Sequence, residues 1–317
     1  MDEKMTNKVT VLGSLNVDTI LQIPRLPKPG ETLPMSDQSF AGGGKGANQA
    51  IAAARAGADT AFIGKIGTDE NGQFMADALQ QSAVTIDDIS TSTTAKTGQA
   101  FILLDENGQN SILVYGGANQ QLNVEDVAAA QGTIAASDFL IAQFETPQAT
   151  TLAAFKRAKA AGVVTILNPA PAKTEVDPEL IRLSDLIVPN ETESETITGI
   201  KVVDGPSMFQ AAEKMRDMGA QAVIITVGSK GAYYDTPAGT GFVPAFQVNA
   251  VDTTAAGDTF IGALSSQLKQ DLSNLNEAIV FANRASSVTV QQLGAQPSIP
   301  TLTEIMASTA VQKQETL

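Results

Sequence analysis

Phe139-Leu140-Ile141-Ala142, the Ala-rich stretch Thr150–Ala161, and Val163-Val164-Thr165-Ile166-Leu167 together decide the fold class. The two outer pieces are short, unbroken apolar runs, as expected of strands buried on both faces. The piece between them is long enough for a crossover helix. The alternation continues outward. Leu186–Val188 reads as a strand and Glu191–Thr198 as a helix. Ser207–Met218 reads as a helix and Ala222–Val227 as a strand. Two long helices follow, near Thr259–Leu268 and Leu275–Leu293. Toward the start, Val9–Leu12 ends at Gly13 as a buried first strand. Ala47–Ala56 is a helix stopped by Gly57, Thr60–Ile63 a strand, and Asn71–Gln81 a helix. This pattern predicts an α/β fold with a mostly parallel sheet and helices on both faces.

Two regions before residue 120 break the alternation. Asn16–Ile23 alternates apolar and polar residues and then meets Pro24, Pro27 and Pro29. Gly98–Leu104 and Ser111–Tyr115 flank Asp105-Glu106-Asn107-Gly108, which reads as a β-hairpin. These strands predict a small second sheet beside the main one. There is no internal repeat. Val311–Leu317 is polar and reads as a frayed tail.

Composition narrows the chemistry. The chain has 317 residues, 43% apolar, and a formal net charge of −14. That charge argues against a nucleic-acid partner, because no basic patch is available to neutralise phosphates. No run of about 18 apolar residues predicts a membrane span. The start, Met1–Lys8, is polar and unlike a signal peptide. With no Cys there are no disulfides or thiolate metal sites. The expectation is a cytoplasmic protein. With no His either, any general base is a carboxylate, Lys or Tyr.

The most informative short stretch is Asp252-Thr253-Thr254-Ala255-Ala256-Gly257-Asp258. It follows Gln247–Val251, a short β-rich run, and opens an apolar helix. Small residues let the backbone approach a ligand, and the unpaired N–H groups of a helix start favour an anion. Asp258 is out of place in an anion site unless it takes part in the chemistry. Beside a phosphate pocket it could take the proton of a hydroxyl that attacks phosphorus.

Four further clusters each have an ordinary reading beside a functional one. Gly42-Gly43-Gly44-Lys45-Gly46-Ala47-Asn48 opens a helix and brings backbone to a ligand, or is a flexible turn. It lacks the Ser or Thr of a Walker A loop. Its formal match to a dinucleotide fingerprint lacks a buried strand before it and an acid after the next strand, which argues against a nicotinamide dehydrogenase. Asn16 and Asp18 lie just beyond the first strand, where α/β sheets bind ligands; they suit sugar hydroxyls or plain turn chemistry. Asn190-Glu191-Thr192-Glu193 is a capping box by its local pattern. Alternatively, Glu193 helps hold Mg²⁺ and its waters near phosphates. Thr226-Val227-Gly228-Ser229-Lys230-Gly231 suits a nucleotide's phosphates and ribose, or is a turn before the next strand.

The order of these motifs resembles the ribokinase family, the PfkB carbohydrate kinases, from Val9 to about Pro300. Gly43-Gly44-Lys45-Gly46-Ala47-Asn48-Gln49-Ala50 is similar to the family's first signature, in a form nearer its ribose-specific branch than its adenosine or fructose branches. Asp252–Phe260 is similar to the second signature. Asn168-Pro169-Ala170-Pro171, Pro189–Glu193 and Gly294-Ala295-Gln296-Pro297-Ser298 also fit. The resemblance implies one Rossmann-like α/β kinase domain over residues 1–317, with a β lid built from segments about 14–40 and 97–116. It implies transfer of a phosphoryl group from ATP to the 5-hydroxyl of D-ribose. A same-fold kinase for 2-deoxyribose, another sugar or a nucleoside is the alternative. The lack of Trp and scarcity of Tyr argue against stacking a nucleobase acceptor. A sugar-binding regulator on a kinase scaffold has no need of Asp258 and Gly257.

The resemblance also assigns positions. Asp258 matches the catalytic base, and Ala255, Ala256 and Gly257 the anion hole. Asn16, Asp18, Gly44, Lys45, Asn48 and Glu145 match sugar contacts. Asn190 and Glu193 match the phosphate and Mg²⁺ motif. Thr226, Gly228, Ser229, Gly231 and Asn283 match nucleotide contacts. Asp252, Thr254, Thr289, Gln292, Gly294 and Ser298 match a K⁺ site made mostly of backbone oxygens. Asn283 stands where relatives often carry His, and Lys230 where Arg is common. Homodimerisation through the lid is implied as well. An aspartate is a weak base for a sugar hydroxyl. In a loose phosphoryl-transfer transition state the proton can leave late, so positioning and charge stabilisation carry the rate.

Overall fold

The computed structural model describes residues 6–313. The polar start at residues 1–5 and the last four residues of the tail lie outside the described residues.

Nine strands form one sheet in the order β13-β12-β11-β10-β9-β8-β1-β4-β5. Their ranges are β1 Lys8–Leu12, β4 Asp59–Gly67, β5 Val84–Ser92, β8 Phe139–Ala142, β9 Val164–Leu167, β10 Leu186–Ile187, β11 Ala222–Thr226, β12 Gly231–Thr236 and β13 Gly239–Pro244. All neighbours are parallel except the β11–β12 and β12–β13 pairs. The apolar runs explain this. Phe139 and Ile141 pack into one core cluster with Val9 and Val11, while Leu140 and Ala142 pack into the other with Leu12. Alternate side chains thus bury both faces, and helices cover each. Truncating a side chain such as Phe62 or Phe155, both fully buried, would cost about 3–5 kcal/mol.

A second sheet has the order β3-β2-β6-β7, with β2 Asn16–Gln22, β3 Asp37–Gly43, β6 Gly98–Leu104 and β7 Asn110–Tyr115. The β6–β7 hairpin forms as its turn predicts, with Gly108 at φ +77° donating to the Asp105 carbonyl. β2 pairs parallel to β6 and antiparallel to β3.

Chain order reverses between β1 and β8. From β1 the main sheet grows one way through β4 and β5, then the other way from β8 to β13. A crevice opens at such a point, at the carboxyl ends of the strands. Ser14–Asn16, Gln143–Glu145, Asn168, Asn190 and Thr226 all lie at or just beyond those ends.

Several expectations need correction. Gln247–Val251 is not a strand; only Phe246 makes an isolated bridge, to Gln312. The helix after Asp252 begins at Ala256, so Asp258 sits within its first turn, and the last long helix ends at Thr289. The turn after Thr226 opens the β12–β13 hairpin. β3 and β5 carry mixed, largely polar sequences at sheet edges and become strands only through their partners. The start of the tail is docked: Lys313 donates its N–H to the Ala245 carbonyl, and Gln247 donates to that of Val311. Among the described residues no helix is long and apolar enough to cross a membrane.

Candidate active site

Asp258 lies at the centre of the crevice and is only 7% exposed. The 256–267 helix that carries it follows Ala255, whose φ is +60°. A left-handed alanine costs about 1 kcal/mol or more, and here it turns the chain so that the helix start faces a cavity. Among the described residues the N–H groups of Ala255 and Gly257 meet no backbone acceptor. That of Ala256 makes a long bond, 3.2 Å, to the Thr253 carbonyl. The cavity, of about 200 Å³, is lined by Lys45, Asn168, Glu193, Ala255, Gly257 and Asp258, among others.

Two neighbouring amides from the Lys45–Arg55 helix reach the Asp258 carboxylate. Asn48 Nδ2 donates to Oδ2 and Gln49 Nε2 to Oδ1, both at 3.0 Å. Asn48 keeps a buried Oδ1 with no partner among the described residues. Such an orphan is costly unless a ligand donor fills it. Gly44 caps this helix at φ +89°, and a Cβ there would lie 2.9 Å from Asn16 N and the Ser14 carbonyl. Only glycine lets the 42–48 turn lie this close to the end of β1.

The sugar-matching residues converge beside it. Glu145 Oε2 accepts from Lys45 N at 2.9 Å and from the Ser14 hydroxyl. Asn16 Oδ1 accepts from Asn119 Nδ2 at 2.8 Å. Asp18 packs against the bare Cα of Gly43. Its pKa is pushed from 3.8 up to about 7, first by burial and then by Glu145 and Asp258. Burial lowers the pKa of Lys45, but Asp258, Glu145 and Glu193 outweigh it and hold the ammonium above its ordinary range. The pocket is therefore polar and crowded with carboxylates, with the Lys45 ammonium as the cation they act on.

Asn190 and Glu193 form the expected capping box: Glu193 N–H donates to Asn190 Oδ1 at 2.8 Å, and Asn190 N–H to Glu193 Oε2 at 2.9 Å. Both also line the cavity. Burial raises the pKa of the Glu193 carboxyl, against the Asn190 hydrogen bond and the Lys45 charge. A divalent cation beside it would relieve that burial cost. A larger cavity, about 370 Å³, joins at Asn190, Thr226 and Gly257. It runs past Gly228, Ser229 and Gly231 to Phe246 and Asn283. The Asn283 NH₂ is committed to the Val243 and Pro244 carbonyls at 3.1 and 3.2 Å. It therefore fastens the end of β13 and offers only its oxygen to the cavity.

The cation-matching residues lie behind the Asp252 turn. Asp252 Oδ1 accepts from Thr254 N–H and hydroxyl at 2.9 and 2.6 Å, and its Oδ2 from Gly294 N–H at 2.9 Å. Gln292 N–H donates to the Thr289 carbonyl at 3.1 Å. The side chains of Thr289 and Ser298 bond within their own surroundings, to Thr259 Oγ1 and the Ala295 carbonyl. Each hydroxyl still keeps oxygen lone pairs besides the hydrogen it donates. Among the described residues no three His, Cys, Asp or Glu side chains gather as a metal site. Oxygen-only loops of this kind fit a hard cation.

With that geometry in place, known proteins are informative. A family model described as pfkB family carbohydrate kinase matches residues 6–302. The chain belongs to this family. It is 51% identical over 302 residues to the ribokinase of Staphylococcus aureus, covering 95% of this chain and 99% of that one. It is 49% identical over 317 residues to a bifunctional ribokinase/ribose-5-phosphate isomerase A of Fructilactobacillus sanfranciscensis, matching 97% of this chain but spanning only 58% of that protein. The solved Arabidopsis thaliana ribokinase, complexed with ribose and ATP, superposes with a TM-score of 0.86 at 31% identity, covering 95% and 98% of the two chains.

Sequence reasoning missed several residues that the family's fold brings here. Gln49 was quoted only as a motif letter, although an amide next to Asn48 was a usable signal. Ser14, Asn119 and Gln143 carry no local signature. Lys313 lines the larger cavity and donates Nζ to the Ser229 carbonyl at 2.7 Å, and a polar terminal tail gave no hint of it.

Proposed function

We propose that this chain transfers the γ-phosphoryl group of ATP to the 5-hydroxyl of D-ribose, giving ribose 5-phosphate and ADP. One observation carries the reading: Asp258, held by two amides, sits within the first turn of a helix whose free N–H groups face the cavity. The family match and the high identity to ribokinases support the choice of acceptor.

The sugar lies against Asn16, Asp18, Asn48, Lys45 and Glu145, with a hydroxyl filling the orphaned Asn48 Oδ1. Its 5-hydroxyl faces Asp258. As the sugar O–P bond forms, the P–O bond to ADP breaks and Asp258 takes the hydroxyl proton. The N–H groups at Ala255 and Gly257 take up charge on the moving phosphoryl group, with Ala256 contributing once its bond to Thr253 loosens. Thr226, Gly228, Ser229, Gly231 and Asn283 border the nucleotide. Asn190 and Glu193 would hold Mg²⁺ through its waters, because both Glu193 oxygens already serve the capping box. The ion supplies neutralisation of phosphate charge. Backbone oxygens around Asp252, Thr254, Thr289, Gln292, Gly294 and Ser298 would hold K⁺, which steadies the anion-hole turn.

The small sheet closes over the sugar and excludes water that would compete as acceptor. It also pairs with a second copy of the chain. Ile112 to Tyr115 of β7 are exposed on both faces, Leu113 by 64%, and Phe40 on β3 by 63%. Large apolar side chains exposed along the β7 edge of this sheet suit a protein-contact surface.

The test is ADP release with Mg-ATP across ribose, 2-deoxyribose, fructose and adenosine, each with K⁺ or a large inert cation. Fast turnover on ribose alone, raised by K⁺, is the expected result. Preference for another acceptor would move the sugar assignment. Ribose binding without turnover on any acceptor would replace the kinase with a regulator.

A further inference from the structure

Asp258 has one supporting contact that no sugar or nucleotide role explains. Gln49 is fully buried, and its Nε2 donates at once to Asp258 Oδ1 and to Asn168 Oδ1, each at 3.0 Å. The direction of this amide is set from both sides. Asn168 spends its NH₂ on the Val188 carbonyl at 2.9 Å, so its oxygen must accept. Gln143 Nε2 donates to Gln49 Oε1 at 2.7 Å, which leaves the Gln49 NH₂ for the acids and amides of the site. A chain of amides therefore runs from the backbone at the end of β10 to the carboxylate.

The reach depends on a second residue. Gly262 stands one helical turn after Asp258, on the same face of its helix. A Cβ at Gly262 would lie 2.5 Å from the Gln49 carbonyl and 2.5 Å from Ala52 Cβ. The two helices touch there, backbone to backbone. Restoring an ordinary contact of about 3.5 Å or more would part them by about 1 Å.

We propose that Gln49 is the positioning residue for Asp258, orienting the carboxylate toward the sugar hydroxyl, and that the bare Gly262 contact brings Gln49 within reach. This rests on the kinase reading above. Asn48 alone holds Oδ2 and leaves the carboxylate free to rotate about χ2. Gln49 holds the other oxygen and removes that freedom. Lys45, Asp18 and Glu193 are the other charged groups that act on Asp258 electrostatically, and none of them bonds to Oδ1.

Three full-length variants test the proposal. Gln49→Leu lowers kcat by roughly 10- to 100-fold, within the range lost with a mispositioned base, and leaves the ribose KM within about 3-fold because Asn48 remains. Gly262→Ala lowers kcat in the same direction without touching a ligand. Gln49→Glu places a second carboxyl against Asp258. The new acid can donate to Asp258 Oδ1 only while it carries a proton, so the ratio of variant to parent activity falls as pH rises. A purely structural Gln49 would give Gln49→Glu the parent's profile. The ¹³C carboxyl resonance of Asp258 provides a reading independent of turnover. Losing the Gln49 donor shifts this resonance in Gln49→Leu away from its parent position at one fixed neutral pH. If the parent turns over no sugar but this resonance moves, the kinase reading fails and the positioning contact stands. A folded Gln49→Leu with kcat within 2-fold of the parent, or an unmoved Asp258 resonance, overturns the proposal. Should Gln49→Leu fail to fold, the near-isosteric Gln49→Glu decides through its pH profile.

Discussion

Asp18→Asn should stabilise the protein at alkaline pH while damaging its function. The Asp18 carboxyl is largely buried beside Glu145 and Asp258, and its pKa is raised from 3.8 to about 7. The folded protein thus holds this proton more tightly than the unfolded chain does. The cost of keeping the carboxylate charged is absent below pH 3.8, grows as pH rises, and is complete above about 7. At about 1.36 kcal/mol per pH unit it reaches roughly 4 kcal/mol at pH 8 and falls below roughly 2 kcal/mol at pH 5. Asparagine keeps the size and polarity without the charge. At about 2 °C per kcal/mol for a large domain, Asp18→Asn should melt several degrees above the parent at pH 8. The gap should shrink by half or more at pH 5. The assay is differential scanning calorimetry of both ligand-free proteins from pH 5 to 8.5. The same variant should bind ribose more weakly, because it loses a hydroxyl acceptor. A melting difference that does not change with pH, or a variant less stable than the parent at pH 8, would refute the electrostatic reasoning.

Asp258→Asn is expected to lose at least about 100-fold in turnover, as for removal of a general base, with ribose affinity by calorimetry largely kept; surviving turnover would sink the base assignment. Leu113→Asp on β7 should convert a dimer into a monomer in sedimentation experiments, and a parent already monomeric would remove the lid-pairing proposal. Lys313→Met should raise the KM for ATP several-fold, on the order of 1 kcal/mol for one lost contact, and leave the ribose KM unchanged. An equal ATP KM would return the tail to a structural role.

Much of this protein was legible in the chain. The buried strands β1, β8, β9 and β11 announce themselves, because a strand covered on both faces must be apolar throughout. The β6–β7 hairpin is written in its turn, and the helix start near Asp258 in the small residues before it. These are local properties, settled by neighbours in sequence. The edge strands β3 and β5 were not legible, since their polar residues become strands only through hydrogen bonds to β4 or β2. Gln247–Val251 shows the converse: two valines among Gln, Asn and Ala read as β-rich, yet the segment stays irregular.

The site divides the same way. Asp252–Asp258 and Gly42–Asn48 could be read as ligand-binding turns because glycine, small residues and a lone acid are locally unusual. What those turns do together was decided in three dimensions. Asn48 and Gln49 meet Asp258 across more than 200 residues of chain only because Gly262 lets two helices touch. The raised pKa of Asp18 comes from burial and from carboxylates distant in sequence, and the tail acquires Lys313's place beside Ser229 by docking on Ala245. The sequence alone determined which segments could be strand, helix or anion-binding turn, because those preferences lie in each residue's backbone and burial. Only the tertiary structure decided which side chains share one crevice, because proximity, burial and field depend on packing between segments that local sequence does not encode.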